Sequence, residues 1–258
     1  MANNSCGIAL KDDFKGDMAR LEMSRYIDLG IYHAVEKSHP YYVEMIAEIS
    51  RRLVRLQKTQ GDLRVLEFGA GTGLATEDFV KCSGLSIDAL ELDEKCCELL
   101  GEHLGGLVTC ICGDAVTFVG RNGYDAMVSV FAHDHIHYDK GPDLVANIHR
   151  NLKPGGVYIM GGELLPHYSN DTERKEALHK YHGFIVDAAL REEHFELAQI
   201  EINALKSGLY KIGDFKRHEK LFEIEMLSQN FRLLSKAKMG PEQPDDVGGV
   251  FVYAFEAI

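Results

Sequence analysis

From Tyr41 to Leu56 the apolar residues Tyr42, Met45, Ile46, Ile49, Leu53 and Leu56 recur at the spacing of one helix face. Residues 12–60 are therefore expected to be helical. Beyond them the pattern changes to short apolar runs separated by amphipathic stretches. Expected strands are Arg64–Phe68, Ser86–Leu90, Val108–Cys112, Asp125–Val130 and Val157–Met160. Expected helices between them are Ala75–Lys81, Glu94–His103 and Asp143–Leu152. Runs that are apolar throughout suit strands covered on both faces. Their alternation with helices predicts an α/β fold with a mostly parallel sheet and helices on both faces. Lys153-Pro154-Gly155-Gly156 stops a helix and leads into the next strand.

After Gly162 a long helical region is expected from Asp171 to about Ser207, and a second helix from His218 to about Gln229. Roughly 70 residues then separate the fifth and sixth strands, more than a simple crossover needs. They read as a helical cap over the ligand-binding ends of the strands. Phe231–Ala237 and Val250–Ala257 are a closing pair of strands, expected as an antiparallel hairpin at one sheet edge. The domain reading is an N-terminal helical segment, 1–60, covering the site, and a main domain, 61–258, with the cap inserted at about 165–230.

Composition narrows the class. The chain has 258 residues, 45% of them hydrophobic, and a formal net charge of −12. The apolar fraction supports a full core. The acid excess argues against nucleic acid as a partner, and the cluster Arg51, Arg52, Arg55, Lys58 reads as a solvated helix face. No apolar run is long enough for a membrane span, and the first residues lack a signal-peptide profile. Six cysteines show no disulfide or metal-ligand spacing. A reduced, cytoplasmic setting is expected.

The stretch Leu63-Arg64-Val65-Leu66-Glu67-Phe68-Gly69-Ala70-Gly71-Thr72-Gly73-Leu74 reads as a buried strand, a glycine turn and the start of a helix. Glycines allow a tight turn and close approach of a ligand. A triphosphate loop needs Lys and Ser or Thr after its glycines, and here Leu74 and Ala75 follow. The dinucleotide fingerprint needs a glycine where Leu74 stands. Glu67 precedes the turn, Glu91 ends the second strand about 20 residues on, where Rossmann-like folds grip ribose, and Asp114 follows the third strand. Acids around the turn predict a cationic, phosphate-free ligand.

These segments resemble the class I S-adenosylmethionine-dependent methyltransferases. The resemblance runs through Val65–Gly73, Leu90-Glu91-Leu92-Asp93, Gly113-Asp114-Ala115 and Leu152-Lys153-Pro154-Gly155-Gly156, and covers roughly residues 60–165. It implies a Rossmann-like, seven-stranded sheet whose last strand is antiparallel, and S-adenosyl-L-methionine as cofactor. It also implies roles. Glu67, Gly69, Ala70, Gly71 and Gly73 would lie near the methionine moiety, Glu91 on the ribose, and Leu92, Asp114 and Ala115 around the adenine. The backbone near Phe131 would meet the amino-acid end.

Candidate chemistry lies just past the fourth strand, in Phe131-Ala132-His133-Asp134-His135-Ile136-His137-Tyr138. If the segment stays extended, His133, His135 and His137 share a face. His133 and His135 are the candidate catalytic bases, with Asp134 able to orient a neighbouring ring. No metal site is expected from this cluster. Glu163, after the fifth strand, is a candidate for binding the acceptor, and Tyr26 and Tyr32 for a lid over the cofactor. Tyr181-His182 and Lys211–Lys216 read as surface helix and turn. The expected activity is methyl transfer to a small-molecule acceptor, with no nucleic-acid or membrane partner. One alternative is consumption of the cofactor itself, by cyclisation to azetidine-2-carboxylate with release of methylthioadenosine. Another is a non-catalytic cofactor-binding module.

Overall fold

The computed structural model describes Ser24, residues 28–242 and residues 245–258. Helices α1 (Leu29–Val35) and α2 (Tyr42–Gln60) precede β1 (Leu63–Phe68), α3 (Thr76–Phe79), β2 (Leu85–Glu91), α4 (Glu94–Leu104), β3 (Thr109–Cys112) and β4 (Tyr124–Val130). Then come α5 (Gly141–Asn151), β5 (Leu152–Leu164), α6 (Asp171–Arg191), α7 (Phe195–Tyr210), α8 (Glu219–Leu227), β6 (Phe231–Gly240) and β7 (Gly249–Ala257).

The seven strands form one sheet in the order β3-β2-β1-β4-β5-β7-β6. The pairs β1–β2, β1–β4, β2–β3 and β4–β5 are parallel. Strand β7 runs antiparallel to both β5 and β6. The closing hairpin is thus at the sheet edge, as expected, with its second strand slotted inside the first. Strand order reverses between β1 and β4, and the crevice beyond their carboxyl ends is where such sheets receive ligands.

Each sheet face has its own core. Met45, Ile49 and Leu53 of α2 join Leu100 and Leu104 of α4 against Val65, Ala89 and Val128. On the other face, Leu144 and Ile148 of α5 and Phe222 and Met226 of α8 cover Leu66, Met127, Tyr158 and Phe255. The apolar stripe of α2 buries Tyr42, Met45, Ile46, Ile49 and Leu53, in line with the periodicity.

Differences from the sequence reading have local causes. Among the described residues, the N-terminal helix is broken at Pro40, and Tyr41 has a positive φ of 67°. The long helix expected from Asp171 is two helices, with Glu193 at φ 60° in the turn and His194 N–H donating to Ala189 O. Helices α6 and α7 pack on each other and make a small core of their own, with Leu165, Leu178, Tyr181 and Ile185 at its centre. Helix α8 lies on the sheet.

Candidate functional site

Gly69, Gly71 and Gly73 take φ values of 65°, 56° and 91°, so the turn after β1 uses the left-handed backbone that glycine reaches without strain. At Gly69 a Cβ would meet Ala132 Cβ at 2.4 Å, which brings the turn and the exit of β4 into direct contact. The half-buried Glu91 binds the turn from the β2 side. Its Oε2 accepts from Gly71 N–H at 2.8 Å, and its Oε1 accepts from Leu92 and Asp93 N–H at 2.8 and 2.9 Å. Burial lifts the Glu91 carboxyl above its ordinary range, against the pull of these three amides. Ala70 N–H donates to Leu90 O at 3.2 Å and completes the clasp.

Next to this clasp, Leu92 leaves 42% of its surface open and Asp114 is exposed. Asp114 Oδ1 accepts from Val116 N–H at 2.8 Å, and Ala115 O accepts from Asn147 at 2.8 Å. Glu67 points the other way. It is 1% exposed, accepts from the Thr76 hydroxyl at 2.7 Å, and is pushed up to about 8, by burial first. The structure therefore brings Glu91, Leu92, Asp114 and the glycines to one edge, and puts Glu67 beneath the turn. No Lys or Arg is among these residues. An open apolar side chain, carboxylates and a glycine cradle, with no basic residue, suit a cationic ligand with an apolar part, as the resemblance to the methyltransferases implies.

Helix α1 is strapped across the turn. Its His33 Nδ1 lies 2.7 Å from the Thr72 hydroxyl, and Lys37 donates to Glu77 at 3.1 Å. Ser24 N–H donates to Asp93 at 2.6 Å. Tyr32 is half-buried, and burial, then Glu36, holds its phenol above the ordinary range. Tyr26 lies outside the described residues.

The histidine segment is not extended. Phe131 has φ 46°, its N–H donates to Gly161 O at 2.9 Å, and its ring packs on His39 and Tyr42. A short 3-10 turn over His133–His135 follows. A turn of three residues rotates neighbours apart, so the three histidines do not share a face. His133 is buried between Tyr158 OH, 3.2 Å from Nδ1, and Glu225, 3.6 Å from Nε2, with Phe222 edge-on. Burial lowers its pKa. His135 is exposed at its edge, with Nδ1 2.7 Å from Gly213 O. His137 is exposed and hydrogen-bonds within its own turn.

The larger surprise is the stretch 213–218, which takes in most of Lys211–Lys216, expected as a surface turn. It threads between the sheet end and the cap. Phe215 N–H donates to Asp134 O at 2.7 Å, Leu165 N–H donates to Arg217 O at 2.9 Å, and the hydroxyls of Tyr138 and Tyr168 donate to Lys216 O. The segment carries Lys216, 3% exposed, and Arg217, 1% exposed, into the interior. Arg217 donates to Ile136 O at 2.6 Å and Phe215 O at 2.9 Å, and pairs with Glu225 at 3.1 Å. Lys216 Nζ reaches Glu163 at 2.9 Å and Asp134 at 3.5 Å, and also pairs with Asp214.

Glu163 is the hub of this cluster. Tyr181 donates to its Oε1 at 2.7 Å, and His39 Nε2 is 2.9 Å from the same atom. Burial pushes the Glu163 carboxyl up, but Lys216 and His39 outweigh it and hold it well below the usual range. Burial lowers His39, but Glu163, Glu201 and Glu36 lift it to about 9. Glu36 is raised to about 7, by burial first. His182 Nδ1 is 2.8 Å from Glu201. Tyr181 and His182 are thus interior residues and not surface ones, because each has an acid partner there. A small cavity between His133, Asp134, Gly162, Glu163, Arg217 and Phe222 opens beside the cluster. A wider recess, open to solvent, lies between Tyr138, Tyr168, Arg174, Lys211, His218 and Glu225.

A reversed parallel sheet, a glycine turn clasped by an acid and an antiparallel seventh strand define a class: Rossmann-like methyltransferases. Residues 65–156 match the family model of the methyltransferase domain, which supports a class I S-adenosylmethionine-dependent methyltransferase with S-adenosylmethionine as its cofactor. Solved structures agree on the fold. An S-adenosylmethionine-dependent methyltransferase from Clostridium acetobutylicum superimposes with a TM-score of 0.60 at 12% identity, covering 88% of this chain and 96% of that one. The CurJ carbon methyltransferase gives 0.65 at 11% identity, covering 89% of this chain and 58% of that one. The [4+2]-cyclase SpnF gives 0.56 at 11% identity, covering 81% and 80%. No curated protein sequence matches the chain. Among the described residues no helix is long and apolar enough to cross a membrane.

Proposed function

We propose that the chain transfers the methyl group of S-adenosylmethionine to a small-molecule acceptor held at the carboxyl ends of β4 and β5, beneath α6 and α7. The observation that supports this is the buried charged cluster of Glu163, Lys216, Asp134 and His39 at that edge. Burying several charges is costly, and a cluster facing the crevice from sheet, loop and cap is suited to gripping a polar acceptor. When bound, the cofactor supplies an activated methyl group. The glycine turn, Ala70 and the Phe131 backbone would meet its methionine end, Glu91 its ribose, and Leu92, Asp114 and Ala115 its adenine, while Glu67 would support the turn from beneath through Thr76.

His133 is the better placed of the two candidate bases. It lines the cavity, and burial keeps its ring neutral and able to take a proton. His135 ties the loop to Gly213 and acts as a positioning residue. Closure of α1 over the turn and of the cap over the cluster would exclude water.

A second reading keeps the fold and changes the reaction: SpnF shares this fold and is a [4+2]-cyclase, so the fold is not confined to methyl transfer. In that reading the cofactor is itself the substrate and cyclises to azetidine-2-carboxylate with loss of methylthioadenosine. Incubation with S-adenosylmethionine, with and without metabolite extract, separates the two. S-adenosylhomocysteine that forms only with extract, together with a labelled methylated product, supports transfer. Methylthioadenosine formed without extract overturns it in favour of cyclisation. Cofactor bound tightly but unchanged in both arms favours a binding module.

A further inference from the structure

We infer that His39, Glu163 and Glu201 bind one divalent cation of the first transition row. The three come from separate parts of the fold: the loop after α1, the end of β5, and α7. Their ligand atoms nevertheless lie within 4.8 Å of one another, and all three side chains are buried.

The orientation of His39 carries the argument. Its Nδ1 is 3.0 Å from the carbonyl oxygen of Pro40. A carbonyl only accepts, so Nδ1 holds a proton, and Nε2 is the ring atom turned toward the acids, protonated as long as no ion replaces that proton. That Nε2 lies 2.9 Å from Glu163 Oε1 and 3.7 Å from Glu201 Oε1, yet it makes no aligned hydrogen bond to either. One nitrogen and two carboxylate oxygens thus converge on one point. An ion about 2.0–2.2 Å from each ligand atom matches separations of this size, and it would take the place of a proton on Nε2.

The outer atoms are held as ligand-supporting groups usually are. Glu163 Oε2 is 2.9 Å from Lys216 Nζ, and Oε1 also accepts from Tyr181 OH at 2.7 Å. Glu201 Oε2 is 2.8 Å from His182 Nδ1. His182 Nε2 is itself without a hydrogen bond, 3.7 Å from Asp214. Such contacts orient a coordinating carboxylate. Lys216 shares its charge among Glu163, Asp214 and Asp134, which leaves Glu201 without a lysine or arginine partner among the described residues. One imidazole with two carboxylates suits Zn²⁺, Mn²⁺ or Co²⁺ better than Ca²⁺ or Mg²⁺, which prefer all-oxygen sets. The ion would pin the N-terminal segment, the sheet and the cap to one another, whichever reaction the site performs.

The test uses the full-length, untagged protein, stripped with chelator and then dialysed against Mn²⁺, Co²⁺ or Zn²⁺ alone. Elemental analysis and the visible absorption of the Co²⁺ form read the binding. One ion per chain is expected for at least one of the three metals. Glu201→Gln and His39→Gln should each weaken binding by about tenfold or more, with circular dichroism and S-adenosylmethionine binding as folding controls. Should either fail to fold, His182→Asn, which alters only a supporting group, is the fallback and should weaken binding by about tenfold. Failure of wild type to bind any of the three ions stoichiometrically would overturn the inference. So would binding that every folded variant retains.

Discussion

Tyr181, on a cap helix, donates its hydroxyl to Glu163 Oε1 at 2.7 Å, and Glu163 is the last residue but one of β5. The bond joins the cap to the sheet through a carboxylate that also meets Lys216 and His39. Tyr181→Phe removes this donor and keeps the ring. Stability should fall by about 1.5–3 kcal/mol, the range for a hydrogen bond to a charged group, in urea denaturation. In the proposed reaction the acceptor KM should rise, while S-adenosylmethionine affinity measured by calorimetry should hold.

Glu67 sets a pH dependence. Its carboxyl titrates near 8 when folded and near 4.5 when unfolded. Between those values the folded chain holds a proton that the unfolded chain has lost. Stability therefore falls as pH rises through this window, by up to about 1.4 kcal/mol per pH unit. Glu67→Gln cannot ionise. Without cofactor, its melting temperature should exceed that of wild type at pH 8.5 and match it near pH 5. Equal pH profiles for the two proteins would contradict the assignment.

Arg217 holds the histidine turn in place. It is buried and donates to the carbonyls of Ile136 and Phe215 while pairing with Glu225. Arg217→Met would leave the partly buried Glu225 without that partner. A loss of about 3–5 kcal/mol is expected. The double variant Arg217→Met, Glu225→Gln should recover part of it, as a double-mutant cycle by denaturant unfolding would show.

His33 and Thr72 fasten α1 across the glycine turn. Thr72→Val keeps the shape of the side chain and removes the hydroxyl. If α1 closes over bound cofactor, affinity should weaken about fivefold, near 1 kcal/mol for one lost hydrogen bond. Titration calorimetry reads this directly.

The sheet was legible because its strands are apolar throughout and its turns carry Gly and Pro at the positions that need them. Glu91 and Asp114 were found from the same logic, since an acid at the end of a parallel strand faces the ligand edge. The buried cluster was not legible. His39, Glu163 and Glu201 lie far apart in the chain, and a lone polar residue in a helix reads as solvated unless its partner is known. Lys216 sits in a stretch with the composition of a surface turn, and only its three acid neighbours explain its burial. The alternation of histidines after β4 imitated a strand. The left-handed Phe131, which ends that strand, leaves no such mark in composition.

The place of β7 bears on how the chain is made. β5 is complete at Leu164, yet the strand that covers its edge begins only at Gly249. Until then β5 presents an open, apolar edge, and β6 has no partner in the sheet because it pairs with β7 alone. Both cap helices emerge from the ribosome in that interval. A nascent chain therefore holds a finished ligand edge and cap beside an unfinished sheet. Ribosome-bound chains halted before residue 249 are the species most exposed to edge-to-edge association.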